Sequence, residues 1–420
     1  MNISPLAADR TASWPLMINR RAYAAPDRPV VVICLDGCDP AYLRAAEERG
    51  AIPVLSGLMH GGFYRLAHAA IPTFTNPNNI AIVCGAPPAV TGVAGNYYLD
   101  RKTQREVMVL DGHLMQADTI LARFAQAGVK VAVVTAKDKL LKALAHGLDG
   151  IALSAEAPEH AQAVIGEIGQ GNSGVPEKYS SELSIFVLDA GVALLESRAA
   201  DVIYLSLSDY IQHKHAPDEP EAIAFMQAVD QRIGALAAQG AIIGITADHG
   251  MSDMAGPDGT ARVVYVQDEI ERRFGEGAAR VICPITDPFT RHHASLGGFV
   301  RVYLRNPGLA LDDIRRHVAA LEGVGLVLTG PEACVRYELP ALGEGDLVVI
   351  AAPGFALGAR ADEHDLSQLA GARLRSHGGT AEQLVPFILS HPVKPAYAER
   401  AQDGLRNFDI FDFALNGVIL

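Results

Sequence analysis

The stretch Ala241 to Met251, AIIGITADHGM, constrains the rest of the chain. Ile242, Ile243 and Ile245 lie in a mostly apolar run without polar alternation, the pattern of a strand buried on both faces of a largely parallel sheet. Such a strand needs helices over both faces, so a layered α/β core is expected. The run ends in Asp248-His249-Gly250. Successive strand side chains point to opposite faces, so the carboxylate and the imidazole converge only if the backbone turns, and Gly250 permits that turn. Ligands of α/β sheets bind beyond the carboxyl ends of the strands. The pair reads either as a metal site or as a solvated Asp-His-Gly loop.

The same signature recurs. Val30 to Leu35, VVVICL, is a second continuous apolar run and exits into Asp36-Gly37; Asp39-Pro40 then starts the helix AYLRAAEERG, which closes at Gly50. Val202 to Leu207 exits into Ser208-Asp209, and Asp209 and His213 stand four apart, on one face if the segment makes a helical turn. Gly128 to Val134 exits into Thr135-Ala-Lys137-Asp-Lys139. Lysines before a helix are usually solvated charge, but these leave the same sheet edge as the carboxylates. In residues 71–85, IPTFTNPNNIAIVCG, Pro77 suits a first helical turn and puts Thr75 at or just before the N-terminus. There its hydroxyl is either an N-cap or a nucleophile aimed at an anion that the free N–H groups already favour. Asn96 sits in the turn-like TGVAGNYYLD, and His377 in ARLRSHGG beside two glycines.

Strands alternate with helices from about residue 28, as right-handed crossovers require. The expected organisation is a core of residues 28–262 and 366–420, an inserted α+β cap over 263–365, and an irregular N-terminal arm over 1–27. At 420 residues the chain can bury a large core. Its net charge of -13 argues against nucleic acid or an acidic membrane as partner, and leaves an anionic substrate to local cations. No apolar span of about 20 residues and no secretory signal is read, and five cysteines lack metal-ligand spacing. A cytoplasmic setting is expected, and the sequence is compatible with a homodimer.

Asp36, Thr75, Asp209, His213, Asp248, His249 and His377 together suit two zinc-like ions, since carboxylate and imidazole both ligate Zn²⁺. The order and content of these motifs resemble the alkaline phosphatase superfamily, especially its nucleotide pyrophosphatase/phosphodiesterase-like branch. The resemblance implies that Asp36, Thr75, Asp248 and His249 surround one zinc and Asp209, His213 and His377 the other. It makes Thr75 the nucleophile, in the position that serine holds in alkaline phosphatase, with a phosphothreonine intermediate, and it matches Asn96 to an asparagine that binds phosphoryl oxygens. Thr73 is the rival threonine, but Thr75 directly precedes Asn-Pro-Asn-Asn. Where the diesterases usually read Thr-Phe-Pro-Asn, this chain reads Thr75-Asn76-Pro77-Asn78, a departure that touches the floor of the substrate pocket. Within the branch, NPNN, TAKDKL and the TDP…RHH segment at 286–293 are similar to the hydrolases that cleave the carbon–phosphorus bond of phosphonoacetate. In those enzymes lysines equivalent to Lys137 and Lys139 hold the substrate's carboxylate. The alternative is an ester-cleaving member with the same metal ligands and a different distal pocket. Arg291, His292, His293, Arg373 and Arg375 have no assigned role, and manganese or iron also suits such ligands.

Overall fold

A computed structural model describes residues 13–109, 114–157, 160, 176–177, 180–286, 293–369 and 371–420. Among them, the central sheet has seven strands, in the order Phe63–His68, Leu384–Leu389, Ile242–Thr246, Val30–Cys34, Val202–Ser206, Val131–Thr135, Ile151–Ser154. The last five are mutually parallel, and Leu384–Leu389 is antiparallel to both of its neighbours. This is the layered α/β core expected from the apolar runs.

The register of the sheet builds the site. Cys34 lies opposite both Thr246 and Ser206, and Ser206 opposite Thr135, so these four strands end level. The residues just beyond them, Asp36, Asp248, Asp209 and Lys137, therefore leave one edge side by side. The helices pack in two groups. Pro40–Glu48, Pro53–Gly61, Glu182–Glu196 and Pro220–Ala238 form one, and Thr75–Cys84, Ile120–Gln126, Asp138–Leu144 and the turns at 407–417 the other. Asp39 caps the first helix by accepting from the Ala41 amide at 2.8 Å.

The N-terminal region departs from the irregular arm expected. Leu16–Ile18 and Arg21–Tyr23 form a hairpin, and Ile18 and Tyr23 are buried in the main core. Its turn places Asn19 and Arg20 at φ of 47° and 69°. Arginine is a rare occupant of that region, so the turn leaves little trace in the sequence.

A second, antiparallel sheet runs in the order Ala279–Ile282, Phe299–Leu304, Leu347–Ala351, Val324–Thr329 and has its own apolar cluster. Arg301 and Glu344, each 4% exposed, form a two-pronged ion pair at 2.7 and 3.1 Å. The same guanidinium donates to the Ala94 carbonyl at 2.9 Å, and the Asn96 amide donates to the Pro284 carbonyl at 2.8 Å. The second sheet is thus bonded to the turn that carries Asn96. No helix among the described residues is long and apolar enough to cross a membrane.

Candidate active site

Thr75 is the first residue of the helix Thr75–Cys84, whose N-cap Phe74 offers no side-chain cap. The Thr75 hydroxyl does not cap either: Oγ1 lies 3.3 Å from His249 Nε2. His249 Nε2 is in turn 3.3 Å from Asp36 Oδ1 and 3.7 Å from Asp248 Oδ2. On the other side, Asp209 Oδ2 is 2.9 Å from His213 Nε2 and 3.8 Å from His377 Nε2. The helical turn Tyr210–Lys214 comes directly after Asp209 and brings His213 back onto it, as the four-residue spacing requires. All seven residues singled out from the sequence as metal-site candidates thus meet in one region.

Two triplets, Asp36/Asp248/His249 and Asp209/His249/His377, each bring three ligand atoms within 4.8 Å of one another. The residues fit divalent ions on three counts. Asp36 Oδ1 is buried without a hydrogen-bond partner, a costly state for a carboxylate oxygen unless a cation faces it. Each imidazole is oriented from behind: Nδ1 of His213 donates to the Arg375 carbonyl at 2.7 Å, that of His249 to Gly250 at 2.8 Å, and that of His377 to Thr73 at 2.7 Å. A carbonyl can only accept, so these bonds put a proton on Nδ1 and turn Nε2 toward the carboxylates, where it offers a lone pair once it is unprotonated. The mixed oxygen and nitrogen set is the third count.

The electrostatics carry the same sense. Burial, together with the neighbouring Asp36 carboxylate, pushes Asp248 up to about 8. Burial disfavours a charged His249, but Asp248 and Asp36 outweigh it and raise the imidazole to about 9. Burial and the neighbouring His249 and His213 keep His377 well below the usual histidine range. Asp36 and Asp248 are like charges buried together and oppose each other's ionisation, and a positive charge beside them relieves that repulsion.

Lys137 is at this same edge. Its ammonium bonds Asp36 Oδ2 at 2.8 Å and Asp209 Oδ1 at 3.0 Å, and its side chain remains 32% exposed. Burial works against the charge, yet Asp209 and Asp36 hold the ammonium well above the ordinary lysine range. Lys139, half-buried, is in the first turn of Asp138–Leu144. Both ends of the Asn96 amide are engaged: Oδ1 accepts from Asn76 Nδ2 at 2.6 Å and Nδ2 donates to the Ile285 carbonyl at 3.3 Å. Asn76, the position that departs from the diesterase pattern, thus ties Asn96 to the helix that begins with Thr75.

Several supporting residues had no assignment from sequence. Asn79 Nδ2 donates to Asp248 Oδ2 at 3.1 Å and to the Thr75 carbonyl at 3.0 Å, and its Oδ1 accepts from the hydroxyls of Tyr204 and Ser206 at 2.7 and 2.8 Å. Tyr204 and Ser206 are two apart on one strand and so share a face. Arg375 is buried and donates to the Gln212 carbonyl and the Tyr42 hydroxyl, whereas Arg373 bonds Asp253 at the surface. His293 is buried 5.5 Å from the His213 ring. Burial and His213 push it down to about 3. Arg291, His292 and most of the TDP…RHH segment lie outside the described residues.

The family described as type I phosphodiesterase / nucleotide pyrophosphatase matches residues 30–378. A solved structure of phosphonoacetate hydrolase from Sinorhizobium meliloti 1021, in complex with phosphonoformate, is 42% identical over 98% of this chain and 99% of its own, with a TM-score of 0.88. The same enzyme in complex with phosphonoacetate gives 42% and 0.87 over the same shares. Murine ectonucleotide pyrophosphatase / phosphodiesterase 5 shares the fold, at 16% identity and a TM-score of 0.61. A phosphonoacetate hydrolase of Penicillium oxalicum is 64% identical over 31 residues, and this chain spans 43% of that curated relative's length. The chain belongs to the type I phosphodiesterase / nucleotide pyrophosphatase family, in the alkaline phosphatase superfamily, as a relative of the phosphonoacetate hydrolases.

Proposed function

We propose that this chain hydrolyses the carbon–phosphorus bond of phosphonoacetate to acetate and phosphate, with Thr75 as nucleophile. The observation that carries the reading is Thr75 Oγ1 at a helix N-terminus, 3.3 Å from His249 and beside two acidic ligand groups. The relatives solved with phosphonoformate and phosphonoacetate support the substrate class. Asp36, Thr75, Asp248 and His249 would hold one zinc, and Asp209, His213 and His377 the other. When bound, such ions lower the pKa of a coordinated hydroxyl and withdraw charge from phosphoryl oxygens.

Thr75 Oγ forms the bond to phosphorus while the phosphorus–carbon bond breaks, giving phosphothreonine. The Thr75 and Asn76 amides at the start of the Thr75–Cys84 helix, together with the Asn96–Asn76 pair, would face the phosphoryl group. The departing electron pair goes to the methylene carbon and spreads into its carboxylate, where Lys137 and Lys139 offset the charge. Water protonates the departing carbon to complete acetate, the hydroxide it leaves takes up the proton given by the Thr75 hydroxyl, and a second water cleaves phosphothreonine to phosphate and returns a proton to Thr75 Oγ. The described cysteines are all free, in keeping with a cytoplasmic setting. Equal release of acetate and phosphate from phosphonoacetate, with label trapped on Thr75 after acid quench, tests the reading. Faster turnover of an aryl phosphate diester would favour the ester-cleaving alternative, for which the family match speaks.

A further inference from the structure

Thr73 is the rival nucleophile by sequence, and its environment gives it a different task. It is fully buried, and its hydroxyl donates to the Gly379 carbonyl at 2.9 Å while accepting from the Gly378 amide at 3.0 Å. A hydroxyl with both functions engaged by peptide groups is held away from attack. The backbone of the same residue is engaged as well. Its carbonyl accepts from His377 Nδ1 at 2.7 Å, and its amide donates to the Gly378 carbonyl at 3.3 Å. Four hydrogen bonds thus join one residue to the segment 377–379. Next to it, the Phe74 ring meets the His377 ring edge-on at 5.9 Å. Gly378, at φ 123°, leaves no room for a side chain, since a Cβ there would come within 2.4 Å of Phe74 Cε1.

We infer that Thr73 is a positioning residue that locks His377 to the Thr75 segment, so that the nucleophile and a ligand of the Asp209 group move as one body. Thr73 and Thr75 are two residues apart on one short segment, and His377 takes its donor tautomer from Thr73. The hydroxyl fixes the 378–379 turn and the carbonyl fixes the ring. Loss of the hydroxyl leaves the Gly379 carbonyl and the Gly378 amide buried and unpaired, which loosens the turn that presents His377. This inference rests on the two-metal threonine reading above.

The test compares Thr73→Val, which keeps the shape and removes the hydroxyl, with Thr73→Ser, which keeps the hydroxyl. The reading is zinc titration of the metal-free protein against a chromophoric chelator, resolving the two equivalents, alongside turnover of phosphonoacetate. Substitution of a group that orients a metal ligand typically costs about 10–100-fold in metal affinity or activity. Thr73→Val is expected to weaken one zinc equivalent by roughly that factor, to leave the other within about threefold, and to slow kcat with KM little changed. Thr73→Ser is expected to restore both readings. Parent-like zinc binding and kcat in Thr73→Val would overturn the inference, as would equal weakening of both equivalents, the mark of general loosening. If Thr73→Val does not fold, Thr73→Ser decides alone: a serine variant with one equivalent selectively weakened would show that the methyl packing, not the hydroxyl, matters. A parent protein that binds two zinc ions while Thr73→Val is normal sinks only this inference, whereas a parent that binds none sinks the two-metal reading itself.

Discussion

The imidazoles of His249 and His377 lie face to face, with ring centroids 3.5 Å apart and planes 6° from parallel. Each is fixed from behind by a carbonyl, Gly250 for one and Thr73 for the other, so the stack sets the spacing between the two ligand groups. The stack also opposes putting charge on both rings. His249 is raised to about 9 by its carboxylate neighbours, while His377 is held well below the usual range.

Elemental analysis of the purified protein is expected to give two divalent ions per chain, and chelation to abolish turnover. Asp209→Ala and His377→Ala each remove one of three ligands of a single group and should lower the count toward one. A single ion in fully active protein would defeat this.

Thr75→Ala is expected to lose turnover on the order of 10³-fold or more while keeping its circular dichroism and most of its metal, because only the covalent path is removed. Thr75→Ser should keep part of the rate. Parent-like activity in Thr75→Ala would place the nucleophile elsewhere.

The two lysines separate the substrate classes. Lys137→Ala and Lys139→Ala should each cost about 2–4 kcal/mol of transition-state stabilisation toward phosphonoacetate, the scale of a lost charged donor. The loss should be much smaller on a phosphate ester with a neutral distal group. Equal losses on both substrates would assign the lysines to the phosphoryl end or to the carboxylate cluster that Lys137 already touches.

Metal-free protein is expected to lose stability as pH rises. Asp248 is raised from 3.8 to about 8 and His249 from 6.5 to about 9. Both groups bind a proton more tightly folded than unfolded, so their contribution is complete below the unfolded values and fades through the folded ones. The melting temperature of chelated protein should therefore fall between about pH 6 and 9. An ion held by these two groups would displace both protons, so protein loaded with zinc should show a flatter profile and zinc uptake near pH 7 should release protons. Calorimetry in two buffers of different ionisation enthalpy checks the release.

The Arg301–Glu344 pair offers a stability test away from the chemistry. Arg301→Ala leaves a buried carboxylate without its partner and should cost about 3–5 kcal/mol in urea unfolding. It should also free the Ala94 carbonyl beside the Asn96 turn.

Asp36 and Asp248 were legible because each stands just past a continuous apolar run that folds as a fully buried strand, and a residue at that position must emerge at the sheet's edge. Asp209 with His213 was legible from helical spacing, and the structure supplies the turn. Thr73, Asn79 and Glu382 were not legible as supports, because their partners are backbone groups or distant side chains. Asn79 meets Asp248 and Tyr204, and Glu382 bonds Ser252 and the Gly379 amide. No local spacing encodes such meetings. The hairpin at 16–23 is hidden for a different reason, since a positive-φ Arg20 carries no turn signature.

The level ending of the strands has a consequence for how the protein is made. Asp36, Asp209 and Asp248 come together only when Val30–Cys34 pairs with both Val202–Ser206 and Ile242–Thr246. These are non-local contacts, which form slowly because the closing loops must be ordered first. His377 and the Leu384–Leu389 strand are later still in the order of synthesis. A ribosome-bound chain that has not yet exposed residue 377 holds some of the candidate ligands but not the whole set, so the cluster is complete only after residue 377 has emerged and the sheet has closed.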